Sequence, residues 1–278
     1  MTTSSSPLWV VFTDLDGTLL NAHDYRWDAA RPALSRLREL GAALVLNSSK
    51  TYREMAELRR NLGAAHPFVV ENGAAIFTPK GYFDGANAAD ISVETELEME
   101  RLGPARDDIL EVLHRLRSRR GWRFEGFADM DVEAVVRHTG LDRDAAAAAQ
   151  DRTGTEPLLW LDDRYPPEVL VRALADVGLR LVAGGRFWHA MGPTDKGVAT
   201  RRLLTRFQAF ERPPFSVALG DSANDLEMLR SVDQAIWIPR AEAEPYEPEP
   251  IDGAIFAPKP GAAGWRLAVD GLLDSAQH

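Results

Sequence analysis

The stretch "VVFTDLDGT", residues 10–18, closes an apolar run with Asp14 and Asp16, one residue apart, followed by a Gly-Thr turn. Side chains two apart on an extended segment point the same way. Both carboxylates therefore face one spot, and Leu15 turns away. Like charges at that spacing repel unless a cation or a shared proton relieves them. The pair is thus suited to metal binding or acid–base work, although a lone Asp-x-Asp also occurs in solvated loops. Other polar clusters follow apolar runs: "NSSK" at 47–50, "ENG" at 71–73 and "GDSAND" at 220–225, with Lys196 in "PTDKG". Asp14, Asp16 and Asp221 with a hydroxyl, Ser48, and an ammonium, Lys196, make a donor set for Mg²⁺ and a phosphate.

The elements that must bring these residues together can be read from periodicity. "LWVVF" reads as a buried strand, and Ala30, Ala33, Leu34, Leu37 and Leu40 recur at helical spacing before Gly41. "AALVLNSS" is a second strand, "TYREMAELRRNLG" a helix and "HPFVVENGAAIF" a third strand with a Gly turn. This βαβαβ run predicts a doubly wound, mostly parallel α/β sheet, in which functional groups gather beyond the carboxyl ends of the strands. The rhythm breaks near Tyr82. Residues 84–188 read as an inserted α/β module, with helices at "RDDILEVLHRLRSRRG" and "LDRDAAAAAQDR" and one strand over "LRLVAGGRFWHAMG". The core pattern returns over 189–278, so the expected organisation is core (1–83), cap (84–188), core (189–278). "PRAEAEPYEPEPIDG" reads as a surface loop.

Bulk properties exclude several classes. The 278 residues carry 32 Lys+Arg against 42 Asp+Glu, a net charge of -10, which argues against nucleic-acid binding. Zero cysteines remove disulfides, thiolate metal sites and cysteine nucleophiles together. "MTTSSSPLW" has neither a basic nor an apolar signal region, and no apolar run approaches the roughly 18 residues of a membrane span. The expectation is a cytoplasmic protein acting on a small molecule, with no nucleic-acid, membrane or protein partner implied.

At this point the motifs become recognisable. D14-L-D16-G-T, a strand ending in Ser48, Lys196 on a helix and G220-D-S-A-N-D225 together resemble the haloacid dehalogenase superfamily of phosphatases. "NSSKT", "ENGAAI", "TGLDRDAAAAAQDRTGTEP" and "GGRFWHAMGPTDKG" resemble, more narrowly, the mannosyl-3-phosphoglycerate phosphatase family, and a related glycosyl-phosphoglycerate such as the glucosyl compound stays open as the substrate. The resemblance implies a Rossmann-like core with a cap, a phosphorylated glycosyl-glycerate substrate and Mg²⁺. Other sugar-phosphate phosphatases and the phosphosugar mutases use the same scaffold and stay open as alternatives.

The resemblance also assigns roles. Asp14 is the expected nucleophile, and Asp16 the acid and then base. Mg²⁺ is expected on the Asp14 carboxylate, the Asp16 main-chain carbonyl and Asp221. Ser48 and Lys196 are expected to grip the phosphate, with Asn224 and Asp225 orienting Lys196 or metal-bound water from behind. Arg186 and His189, where the cap returns to the core, and Asn72 are expected to touch substrate.

Overall fold

A computed structural model describes residues 7–84, 91–184, 186–240 and 250–276. Its main sheet contains β1 (Leu8–Thr13), β2 (Ala43–Asn47), β3 (Phe68–Val70), β4 (Ala75–Pro79) and β5 (Leu97–Arg101). A second, smaller sheet contains β6 (Phe124–Gly126), β7 (Thr155–Trp160), β8 (Arg180–Ala183) and β9 (Trp188–Met191). The chain then returns to the main sheet with β10 (Pro214–Gly220), β11 (Gln234–Trp237) and β12 (Ile255–Phe256). The main order is β12-β11-β10-β1-β2-β3-β4-β5, and the smaller is β6-β7-β9-β8. From β12 to β3 all pairs are parallel, whereas β4 and β5 add antiparallel strands at one edge.

The helices are α1 (Arg31–Glu39), α2 (Tyr52–Leu62), α3 (Arg106–Arg120), α4 (Val132–Thr139), α5 (Arg143–Gln150), α6 (Glu168–Ala175), α7 (Lys196–Phe207), α8 (Leu226–Leu229) and α9 (Gly261–Ser275). Strand alternation sends Val11 to one face of the main sheet and Val10 and Phe12 to the other. Val11 joins Leu34, Met55 and Trp265 from α1, α2 and α9, while Phe12 joins Leu203 and Phe207 of α7 and Met228 of α8. Both faces are therefore covered, which is why the strands read as continuous apolar runs. Thr51 opens α2 with a capping box shared with Glu54, and Gly63 closes it at φ 61°. No helix among the described residues is long and apolar enough to cross a membrane.

Several boundaries differ from the sequence reading. The polar stretch after Tyr82 contains β5, which pairs with β4 and belongs to the core sheet. The cap sheet ends only at Met191, so its residues run later than 84–188 on both sides. "AAIF" is a separate strand, β4, that folds back antiparallel on β3. "LRLVAGGRFWHAMG" is two antiparallel strands, β8 and β9, not one. A Gly-Gly break inside an apolar run is a hairpin signal, and the reading passed over it. Most of the loop expected over 239–253 lies outside the described residues.

Where the chain leaves and re-enters the core, Gly103 and Gly192 pass side by side. A Cβ on Gly192 would lie 2.5 Å from Pro104 Cδ, so only glycine fits. The second joint is electrostatic. Glu71, Asn72 and Gly73 all have positive φ (51°, 55° and 93°), a costly turn for the first two. The Glu71 carboxylate is buried and accepts from Thr153 N (2.7 Å), Thr153 Oγ1 (2.9 Å), Gly154 N (3.2 Å) and Thr155 Oγ1 (2.6 Å) at the foot of the cap. Arg152 Nε lies 3.6 Å away. Burial opposes the charge of Glu71, but Arg152 and the threonine donors outweigh it and hold the pKa below the ordinary glutamate value.

A depressed folded-state pKa stabilises above the unfolded value, near pH 4.5, and that contribution fades as pH falls through the folded value. Glu71→Gln should lower the unfolding free energy at pH 7 by about 2–4 kcal/mol. In urea titrations the gap from wild type should narrow below pH 4.5. A gap that stayed constant with pH would deny the charge its role.

Candidate active site

The carboxyl end of β1 carries the centre of the site. Asp14 N donates to Leu219 O at 2.9 Å, so Asp14 still lies in the ladder with β10 and is nearly buried. Leu15 is fully buried in the core, and Gly17 turns the chain at φ 85°. A Cβ there would meet Asp221 Oδ2 at 2.7 Å, so the glycine lets two strand ends approach. Trp265 of α9 steadies the end of β1: its Nε1 donates to Thr13 Oγ1 at 3.0 Å, and Thr13 Oγ1 donates to Asp14 O at 2.7 Å.

Lys196, the first residue of α7, is inside the protein. Its Nζ donates to Asp14 Oδ1 and Asp225 Oδ1, both at 2.6 Å, and its side chain has no exposed surface. Asn47 holds the Lys196 carbonyl from Nδ2 at 3.1 Å, and Thr200 Oγ1 donates to the same oxygen at 2.8 Å. Burial disfavours the ammonium, yet Asp14 and Asp225 outweigh burial and raise its pKa. Burial, reinforced by the charge of Asp225, pushes Asp14 well above the usual carboxylate range against the pull of Lys196. Asp221 is raised by burial and Asp225 and lowered by Arg240 and Thr18.

The carboxylates of Asp14, Asp221 and Asp225 bring ligand atoms within 4.8 Å of one another. Proximity alone would make all three metal donors. The partners argue otherwise for Asp225, whose Oδ1 takes Lys196 while Oδ2 accepts Asp221 N (3.1 Å), Ser222 N (3.0 Å) and Ser222 Oγ (2.9 Å). These bonds occupy both Asp225 oxygens with Lys196 and the turn after β10. Asp221 accepts from Thr18 Oγ1 at 3.1 Å and Arg240 Nε at 2.8 Å, but each carboxylate oxygen retains a further lone pair. Three carboxylates against Lys196 and Arg240 leave excess negative charge, and the donors are oxygen only. This chemistry fits a hard divalent cation.

Asp16 stands beside this cluster with its side chain 40 % exposed. Its Oδ2 pairs with Lys50 Nζ at 2.9 Å, and its Oδ1 is buried with no hydrogen-bond partner among the described residues. Ser48 is buried at the end of β2, its Oγ accepting from Lys50 N at 3.2 Å. Asn72 accepts from Asn224 Nδ2 at 3.1 Å, so the Asn224 amide serves Asn72 and not Lys196. His189 lines a cavity between core and cap that Asp16 also borders. Arg186 does not join it: its exposed side chain donates to the His138 carbonyl, outside the lining of that cavity. The β8–β9 hairpin separates two residues that sequence proximity had paired.

The sequence reading named Lys50 only within the "NSSK" cluster, without a role, and passed over Arg152 and Arg240. Arg240 and Lys50 both follow the carboxyl ends of core strands, so the strand-end rule reaches them. Arg152 has no such signal, because its position depends on how the cap folds down. Replacing Asp225 with Asn removes the second charge that holds Lys196, and supporting contacts of this kind typically matter 10- to 100-fold. Asp225→Asn should lower kcat by about that range, while Asn224→Ala changes it far less, as steady-state turnover would measure.

A family model of haloacid dehalogenase-like hydrolases matches residues 11–92, which include Asp14, Asp16 and Ser48. Over 271 residues the chain is 38% identical to the glucosyl-3-phosphoglycerate/mannosyl-3-phosphoglycerate phosphatase of Persephonella marina, covering 97% of this chain and 98% of that protein. It is 36% identical to the similarly named enzyme of Methanococcoides burtonii, covering 95% and 97%. A solved structure from Thermoplasma acidophilum superposes with TM-score 0.66 at 15% identity, over 96% of this chain and 99% of that one, which shows the fold. With its strand-end aspartates, buried lysine and near full-length relatives, the chain belongs to the haloacid dehalogenase-like hydrolase family, among its phosphatases.

Proposed function

We propose that this phosphatase hydrolyses a 2-O-glycosyl-3-phosphoglycerate, mannosyl or glucosyl, to the glycosylglycerate and phosphate through an aspartyl phosphate. The observation that carries the chemistry is the buried Asp14–Lys196–Asp225 array with Asp16 at its open side. The substrate class is supported by the names of the two relatives, each of which covers both glycosyl compounds.

Lys196 holds Asp14 Oδ1, which leaves Oδ2 to attack phosphorus. As that P–O bond forms, the ester P–O bond breaks and its electron pair goes to the leaving oxygen, which takes a proton from Asp16. A water molecule then attacks phosphorus, gives its proton to Asp16, and the P–O bond to Asp14 breaks to restore the carboxylate. Ser48 and Lys196 stabilise the non-bridging oxygens by a hydroxyl and by charge. Asp14, the Asp16 main-chain carbonyl and Asp221 would hold Mg²⁺. When bound, this ion would draw off phosphoryl charge and offset the burial and the Asp225 charge that raise Asp14.

The deciding measurement is inorganic phosphate released from mannosyl- and glucosyl-3-phosphoglycerate alongside hexose phosphates. Preference for the hexose phosphates would defeat the substrate assignment, and isomerised sugar phosphate without free phosphate would indicate a mutase. Asp14→Asn should reduce turnover at least about a thousandfold while substrate binding persists. A chelator should abolish activity, with Mg²⁺ restoring it. Asp221→Ala should weaken Mg²⁺ binding measured by calorimetry, and an unchanged isotherm would remove Asp221 from the ligand set.

A further inference from the structure

Between the core rim and the cap lies a cavity of about 140 Å³, bordered by Asp16, Lys50 and Glu54 of the core and by Arg152 and His189 on the cap side. Pockets that enclose whole drug-sized ligands begin near roughly 300 Å³, so this one suits a group of few heavy atoms. A glycosyl group has other room, because a cavity of about 470 Å³ opens on the flank formed by Gly17, Asn21 and Asp221, which Asp16 also borders.

Two cations, Lys50 and Arg152, and two carboxylates, Asp16 and Glu54, border the small cavity. Lys50 Nζ lies 2.9 Å from Asp16 Oδ2 and 5.2 Å from the centre of the Tyr25 ring. Glu54 accepts from Thr51 N at 2.8 Å in the helix cap, and its charge joins that of Asp16 in holding the Lys50 ammonium. The Arg152 guanidinium is fixed by Thr155 Oγ1 (2.7 Å), the Ala149 carbonyl (3.2 Å) and the Ser49 carbonyl (3.0 Å). A planar guanidinium so oriented matches a carboxylate, and an ammonium beside it adds charge. His189 Nδ1 is buried with no hydrogen-bond partner among the described residues. Burial and Arg152 depress its pKa to about 4, so the ring is a neutral hydrogen-bonding group.

We propose that Lys50 and Arg152, with His189 beside them, form a subsite for a carboxylate on the leaving group of the phosphate ester. This deepens the phosphatase reading above and rests on it. Only two carbons separate the ester oxygen from the carboxylate in a 3-phosphoglycerate skeleton. Asp16 therefore serves the oxygen while its neighbour Lys50 takes the acid. The subsite replaces Arg186, which the sequence alone suggested for this contact and which lies outside the cavity.

The test compares two esters that differ only there: glucosyl-3-phosphoglycerate, and the glucosylglycerol phosphate that has a hydroxymethyl group in place of the carboxylate. Wild type should favour the carboxylated ester in kcat/KM. Lys50→Gln should reduce that ratio at least about tenfold, the scale expected for losing one charged contact, and Arg186→Gln should leave the ratio within about twofold. An unchanged ratio in Lys50→Gln overturns the proposal, even if both rates fall. Failure of the substrate reading shows differently, as wild type ignoring both esters while cleaving an aryl phosphate. The subsite is then judged by D-glycerate as an inhibitor of aryl-phosphate cleavage. Inhibition weakened tenfold in Lys50→Gln upholds it, and equal inhibition in both proteins overturns it.

Discussion

A lysine with no exposed surface, 2.6 Å from two carboxylates, is the interaction around which this molecule is arranged. Removing an ammonium from water costs several kcal/mol, and only well-placed opposite charges offset it. That requirement fixes α7 so that Lys196 enters from its first turn, with Asn47 and Thr200 holding its carbonyl. It also fixes the turn after β10, where Asp225 accepts two backbone amides and the Ser222 hydroxyl while facing the lysine. Strands β1, β2 and β10 lie side by side in parallel register, so their ends meet at one rim. The sheet serves the ion cluster, and the cluster ties three distant segments of the chain together.

The same logic recurs at the seam between core and cap. Glu71 is a buried carboxylate placed by a left-handed turn and satisfied by donors from residues 153–155. Arg152 links this joint to the cavity: it faces Glu71 at 3.6 Å, donates to the Ser49 carbonyl and lines the space beside Asp16. Cap position and cavity shape are therefore coupled through one arginine. At this seam, oriented charges and their hydrogen bonds fix the geometry.

How much was legible varied with the range of the cause. Strand–helix alternation, the three-layer core and the inserted cap followed from apolar periodicity, because burial on both faces imposes a local composition. The β8–β9 hairpin was signalled by Gly184-Gly185 and passed over. Strand β5 left a weaker trace, since Leu97–Arg101 is a half-exposed edge segment with mixed side chains. The antiparallel return of β4 lay inside a stretch whose apolar pattern suits either direction of pairing.

By itself the sequence determined which groups gather at the rim. Asp14, Asp16, Ser48, Lys196, Asp221 and Asp225 each follow or face a core strand, and strand parity with parallel topology leaves their side chains little choice of end. Only the tertiary structure decided who bonds to whom: that Asp225 holds Lys196, that Asn224 turns to Asn72, and that Arg186 stays outside while Lys50 and Arg152 line the cavity. The physical reason is range. Burial patterns are written every two or four residues along the chain. The partner of a buried charge is whichever residue another segment carries to within 3 Å, and no local spacing records it.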